Sequence, residues 1–394
     1  MPWGPWNPSG RGAGHLKCAF VVRSFDVGGS ERQLLHLTRG LVERDHDVLV
    51  VVIEAGGTLT PELVDTGARV VEVTDDGIGW LPLRIGPLLG PIRQFRPDVL
   101  HGYLAFANTL AVHAGPFLPG TRVVQGIRGI QPERDAGQPM VRAFYRAEAM
   151  SSRFADAIIS NSESGRTHAL ARGFPESRIH VVPNGIDINA LHPDPDAGKQ
   201  LRSEWSVADD EILVGRVAHF RPTKDYGTFL RAAAVAARGH PELRFVVVGD
   251  GPARGVLRAI ARGLGLDGRV IWTGERRDMA TIMNALDIMV SSSRWESFPN
   301  VVGEAMACGV PCAVTDTGDS AVIVGPTGAV APPAAPHQLG AAVLGLLDRL
   351  KRDDDGLRAQ ARARIAEQFT VENMVTRTER ILLDLAGFKR QQSS

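Results

Sequence analysis

Two α/β domains, each a doubly wound parallel sheet covered by helices on both faces, are what the 394 residues predict. Three observations carry that prediction. Short, continuous apolar runs of strand length alternate with helix-length stretches along almost the whole chain. The alternation pauses once, in a Pro- and Gly-bearing run from Pro183 to Lys199, and then resumes. The length suits two domains of ordinary size.

The first strand is Cys18-Ala19-Phe20-Val21-Val22, followed by a helix from Glu31 to Glu43 with Ser30 as its N-cap, and then a strand from Val48 to Ile53. Further apolar strands are expected near 69–73, 98–101, 121–125, 156–160 and 179–182, with helices between them. Pro183-Asn184-Gly185-Ile186-Asp187 is turn-rich, and Pro193, Pro195 and Gly198 extend the break, which reads as a linker. The second set has strands near 211–218, 244–249, 269–272, 287–291 and 312–315, and 337–388 reads as helical. The expected divisions are a disordered Pro- and Gly-rich tail at 1–14, domains at 15–187 and 188–368, and a last segment at 369–394.

Composition narrows the class. Hydrophobic content of 44% fills two cores, and 44 basic against 44 acidic side chains give no global attraction to nucleic acid. Cys18, Cys308 and Cys312 are an odd count without a pairing pattern, which points to a reducing, cytoplasmic compartment and to buried small side chains. No apolar run is long enough to cross a bilayer.

The densest chemical signal is Trp295-Glu296-Ser297-Phe298-Pro299-Asn300-Val301-Val302-Gly303-Glu304-Ala305-Met306-Ala307-Cys308-Gly309-Val310-Pro311. It follows the buried strand Ile288-Met289-Val290, so the unit is strand, loop, helix. Asn300 is placed as the N-cap, Glu304 in the opening turn and Gly309 as the C′ residue. Free N–H groups at such a helix start bind anions, and a neighbouring carboxylate accepts hydrogen bonds from hydroxyls. Phosphate and hydroxyls together suggest a sugar nucleotide.

This string resembles the E-x7-E motif of retaining glycosyltransferases of family 4, whose flanks run E-G-F-P-N and E-A-M-A-C-G-x-P. Ser297 stands in place of the usual Gly, and Gly303 in place of a larger apolar residue. Val-Val-Pro-Asn-Gly-Ile-Asp at 181–187 is similar to a recurrent string of the same family. The resemblance spans about residues 17–388 and implies the GT-B fold: two Rossmann-like domains facing a cleft, with the C-terminal helix crossing back to the first.

The loops at the strand ends carry the remaining candidates. Gly28 and Gly29 open a helix after the first strand, where the family has a similar G-G-x-E. Val217 to Asp225 is similar to the family's V-x-R-x-x-P-x-K segment, in which an Arg and a Lys hold the donor diphosphate. Lys224 fits, His219 occupies the Arg position, and Arg221 is preferred to Arg216 as the replacement cation. Gly249 belongs to a G-D-G-P string, read equally as a strand-to-helix turn and as a donor contact. Arg128 aligns best with a family His near the donor sugar; His101 is a second candidate, although a lone His is more often structural.

The resemblance implies a metal-independent retaining hexosyltransferase, with no cofactor beyond its nucleotide-sugar co-substrate. UDP is preferred to GDP in the donor, and the acceptor is a glycan or lipid-linked hydroxyl in bacterial polysaccharide or glycoconjugate synthesis. Glu296, Lys224, Arg221 and Arg128 would be catalytic. Ser297, Phe298, Pro299, Asn300, Val301 and Glu304 would bind donor with Gly28, Gly29, His219 and Gly249. The basic, apolar stretches 80–95 and 128–153 either touch the inner face of a membrane or pack on their sheet. A sugar-nucleotide epimerase of the same fold and an inactive scaffold homologue are the alternatives, the second prompted by His219.

Overall fold

The computed structural model describes residues 14–73, 81–129 and 139–388, with side chains for all of these except 81–84 and 139–141. The tail expected at 1–14 (save Gly14), Asp75, Asp76, Trp80 and Arg134 lie outside the described residues. The chain divides into two units. The first holds the described residues up to Asn161, then Gly165–Val182, then those from Glu372 on. The second holds Ser162–Ser164 and Pro183–Val371.

In the first unit the order is β1 (Lys17–Val22), α1 (Gly29–Val42), β2 (Asp47–Val52), α2 (Thr60–Val64), β3 (Arg69–Glu72), α3 (Leu81–Phe95), β4 (Val99–Tyr103) and α4 (Leu104–Ala114). There follow β5 (Arg122–Ile127), α5 (Pro139–Ser151), β6 (Ala157–Ser160), α6 (Glu163–Ala171) and β7 (Ile179–Val181). The seven strands are parallel, in the order β3-β2-β1-β4-β5-β6-β7. Every residue of β1 and β4 is buried, as expected of strands covered on both faces. Leu88, Ile92 and Phe95 turn the apolar side of α3 into the core, beside Val21, Leu49 and Leu100.

In the second unit the order is α7 (Pro195–Glu204), β8 (Ile212–Val217), α8 (Tyr226–Ala236), β9 (Leu243–Val248), α9 (Arg254–Gly263), β10 (Val270–Gly274) and α10 (Met279–Ala285). Then come β11 (Ile288–Ser291), α11 (Asn300–Ala307), β12 (Cys312–Thr315), α12 (Ser320–Val324), β13 (Ala329–Ala331), α13 (Pro336–Arg352) and α14 (Asp354–Gln368). Its six strands are also parallel, in the order β10-β9-β8-β11-β12-β13. Asp194, Asp225 and Asp353 cap α7, α8 and α14 by accepting from backbone N–H groups. The last helix, α15 (Val371–Ala386), packs on α1. Val375 would touch any Cβ placed on Gly40, and Glu379 bonds Arg44 at 2.7 Å and His46 at 2.9 Å.

Every strand expected from the sequence is present. Only β13 was missed, because three residues between Gly328 and Pro332 give no strand signal. The three cysteines are free and buried. α1 starts earlier than expected, with Gly28 rather than Ser30 at the N-cap. α11 likewise has Pro299 at the N-cap and Asn300 as its first residue, which moves Glu304 out of the first turn. Gly309, at φ +80°, is the left-handed C′ residue expected.

Candidate active site

In each sheet the strand order reverses once, and ligands of open α/β sheets bind outside the carboxyl ends of the strands flanking that reversal. In the second unit those strands are β8 and β11. The loop after β8 carries Lys224, and the loop after β11 carries Glu296.

Lys224 Nζ lies 2.6 Å from Glu296 Oε1, with side chains 28% and 10% exposed, so the pair is half sheltered yet reachable. Buried groups stitch the two loops together beneath it. Arg216, on β8 and fully buried, donates from Nη2 to the Lys224 carbonyl (3.0 Å) and to Ser293 Oγ (2.9 Å). Its Nη1 reaches Ser291 Oγ at 3.3 Å and the Val290 carbonyl at 3.4 Å. Ser292 Oγ donates to the carbonyls of Lys224 and Asp225, and Thr315 Oγ1 to that of Ser293. Burial pulls the Arg216 guanidinium below its usual range, opposed by Tyr226, Glu296 and Asp225.

Asp225 closes the first loop at φ +42°, a left-handed conformation that costs a non-glycine residue about 1 kcal/mol or more. Its carboxylate offsets that cost by accepting from Thr228 N–H, Thr228 Oγ1 and Arg294 Nε. Partial burial pushes this carboxyl up, but those bonds outweigh it and hold it below its ordinary value.

Around Glu296, Ser297 is buried and its hydroxyl lies 2.6 Å from that of Ser162. Phe298 is buried against Phe369, and Val301 lines the same core. Asn300 Oδ1 accepts from Asn184 Nδ2 at 2.8 Å. Glu304 is half-buried on α11. Of this string, then, the start of α11 beyond Pro299 offers backbone N–H groups, while Ser297 and Phe298 are held within the fold.

Arg221 and His219 are both exposed, and among the described residues no side-chain bond joins either to Lys224. The cations brought against the Lys224 loop are Arg216, at the Lys224 carbonyl, and Arg294, at Asp225. Gly249 sits at φ +139°, and a Cβ there would lie 2.0 Å from the Ala218 carbonyl oxygen. That close approach of the two strand ends requires glycine by itself. Sequence reasoning missed the serines at 291–293 and Thr315. The Ser-Ser-Ser run ending an apolar strand was the one local signal.

In the first unit the reversal lies between β1 and β4. Gly28 caps α1, and a Cβ on it would lie 2.1 Å from Glu31 Oε2, because Glu31 folds back over the helix start as in a capping box. Gly29 is the exposed first residue of the helix. Arg128, just past β5, stacks 4.3 Å over the Tyr103 ring at the end of β4. Leu104 follows at φ +72°. His101 is fully buried, and its Nδ1 bonds the Gly102 carbonyl at 2.7 Å. Burial first, and Arg128 second, press its pKa to about 3, so it stays neutral.

Among the described residues no group of three or more His, Cys, Asp or Glu is placed to hold a metal ion, and no helix is long and apolar enough to cross a membrane.

Comparison with known proteins agrees in both halves. The model of glycosyltransferase family 4 matches residues 27–190, and that of glycosyl transferases group 1 matches 210–349. A GDP-mannose-dependent alpha-mannosyltransferase of Mycolicibacterium smegmatis is 30% identical over 79% of this chain and 82% of its own. N-acetyl-alpha-D-glucosaminyl L-malate synthase of Bacillus anthracis is 25% identical over 91% and 94%. Anabaena HepE, solved in complex with UDP, superposes with a TM-score of 0.81 at 22% identity, covering 94% of this chain and 100% of that one, a likeness of fold. A fold with two reversing parallel sheets, a Lys–Glu pair on one reversal and a relative matched over most of its length converge: the chain belongs to glycosyltransferase family 4.

Proposed function

We propose that the chain is a retaining, metal-independent transferase that moves a hexose from a nucleoside diphosphate donor to a hydroxyl of a glycan or lipid-linked acceptor. The observation that carries this reading is the Lys224–Glu296 pair on the reversal of the second sheet. When the bond between the anomeric carbon and the diphosphate oxygen breaks, the electron pair stays with the diphosphate. A fixed ammonium and the free N–H groups at the start of α11 stabilise that charge without reorganising. Lys224 is the ammonium, and Arg216 fixes its backbone from below. Glu296 orients Lys224 and accepts from sugar hydroxyls, while Glu304 takes the ribose hydroxyls. Membership of the family supports retention of configuration.

The test is transfer from UDP-, GDP- and ADP-hexoses with EDTA present, the anomer of the early product being read by proton NMR. The relatives' own donors differ, so the base is read from this panel, UDP first. The expected result is a retained anomer formed in EDTA, with Lys224→Ala lowering turnover by about 100- to 1,000-fold. An inverted anomer, a strict metal requirement, or a silent Lys224→Ala would each overturn the part of the mechanism it addresses.

A further inference from the structure

The first sheet carries a buried cation that the described residues do not fully satisfy. Arg128 is 7% exposed, and its Nε and Nη1 have no hydrogen-bond partner among the described residues. The hydroxyl of Tyr103, 1% exposed, has none either, nor does His101 Nε2. A buried, unpaired guanidinium is among the more costly things a fold can hold, and an unmade bond on a buried hydroxyl adds to it. These groups gather on one side of the sheet. His101 and Tyr103 alternate on β4, and in register with Tyr103 stands Gly126, where a Cβ would lie 2.9 Å from His101 Cε1 and 3.6 Å from Arg128 Nε. Gly126 places no side chain against the Nε edge of the guanidinium, which is shielded from solvent yet unbonded among the described residues. The guanidinium face lies on Tyr103, so its edges are what remain to be bonded. Strain sits at the same place, in Leu104 at φ +72°.

We infer that Arg128 and Tyr103 form a subsite for an oxyanion, a carboxylate or phosphate group carried by a substrate. The guanidinium edge matches two oxygens of such a group, and the tyrosine hydroxyl donates to it from the side. His101, its Nδ1–H committed to Gly102, presents an acceptor at Nε2 and no competing charge. Two substrate sources share this chemistry, an anionic group on the acceptor and the diphosphate of the donor. Lys224 already serves the diphosphate, so the acceptor is the expected source. That last step rests on the proposed transferase reading, whereas the oxyanion site stands on the first unit alone and is tested without turnover.

The experiment uses the full chain and two probes, inorganic phosphate and malonate, followed by calorimetry and melting temperature in a buffer free of other oxyanions. Both probes should raise the melting temperature of the unsubstituted protein. Arg128→Met keeps the apolar stem and removes the charge. It should weaken both probes at least tenfold while melting no lower than the parent in probe-free buffer. Tyr103→Phe should weaken them several-fold. The titrations are repeated with a saturating nucleoside diphosphate, whichever of UDP, GDP and ADP binds best. Phosphate still binding, with nucleotide affinity unchanged in Arg128→Met, assigns the subsite to the acceptor. Nucleotide displacing phosphate, and binding at least tenfold more weakly to Arg128→Met, assigns it to the donor diphosphate. Three results would overturn the inference: no probe binding to the folded parent, binding unchanged by Arg128→Met, or binding lost in Lys224→Ala but kept in Arg128→Met.

Discussion

Each sheet buries one arginine at its reversal, and the two are treated in opposite ways. Arg216 has four hydrogen bonds to serines and carbonyls of neighbouring loops, and one orphan, Nε. Arg128 has a tyrosine ring and, among the described residues, two orphaned nitrogens, Nε and Nη1. The left-handed residues beside them repeat the contrast. Asp225 is held by three bonds from Thr228 and Arg294, whereas Leu104 has no polar side chain with which to be held. The second reversal is nearly complete in itself, so that Lys224 stands on a bonded floor. The first is short of bonds among the described residues, as the proposed oxyanion subsite requires.

The sharpest way to break this comparison is to remove both cations while keeping their length. Arg216→Met should destabilise the protein by about 3 kcal/mol or more, because it strips bonds from buried oxygens that water cannot reach. Arg128→Met should be neutral or stabilising in oxyanion-free buffer. Chemical denaturation of the two variants decides it, and equal losses would mean that Arg128 is an ordinary core residue.

Acid should act on the first unit through His101. Its pKa is about 3 in the fold against 6.5 when unfolded, so the unfolded chain binds more protons between those values. Stability therefore falls as pH drops below about 6.5, by up to about 1.4 kcal/mol per pH unit for this one group. His101→Asn should flatten that part of the pH–stability curve. A curve that keeps its slope would place the acid sensitivity elsewhere.

The smallest effect separates the two strained residues. Asp225→Ala loses its caps and should cost about 1–2 kcal/mol. Leu104→Asn puts a residue that tolerates the left-handed region at φ +72° and should be within about 1 kcal/mol of neutral, or stabilising. Melting temperatures of the pair, measured side by side, would show whether strain at Leu104 is compensated after all.

Much of the fold was legible because buried parallel strands are short apolar runs, and runs such as Val48 to Ile53 announce themselves. Lys224 and Glu296 were legible from motif spacing, and their contact joins positions 72 residues apart. Arg216 was passed over because an arginine inside a strand gives no local sign of which face it takes. Its partners, Ser291 and Ser293, lie 75 and 77 residues away, and only the sheet order brings them near. Gly249, read equally as a turn and as a donor contact, has a steric reason of its own in the Ala218 carbonyl. Short glycine strings mark close approach, and sequence does not say what approaches. The orphaned edge of Arg128 was not legible at all, since a missing partner is a property of three-dimensional surroundings.

The first unit is not one stretch of chain. Arg44, just past α1, meets Glu379 of α15 across 335 residues, while nearly all of the second unit lies between them as a continuous run. At about 5–20 residues per second, the ribosome makes α15 roughly 20 to 70 s after α1. During that wait Arg44 and His46 have no Glu379, and Gly40 has no Val375 to cover it. The second unit can finish folding first, although it is made second. Ile186 and Phe369, joined at 2.7 Å by Ile186 N–H and the Phe369 carbonyl, then bring the two ends of that unit together. A nascent chain halted just before residue 372 would carry a whole second unit and an open first one, exposing α1 to chaperones and proteases until the final helix is released.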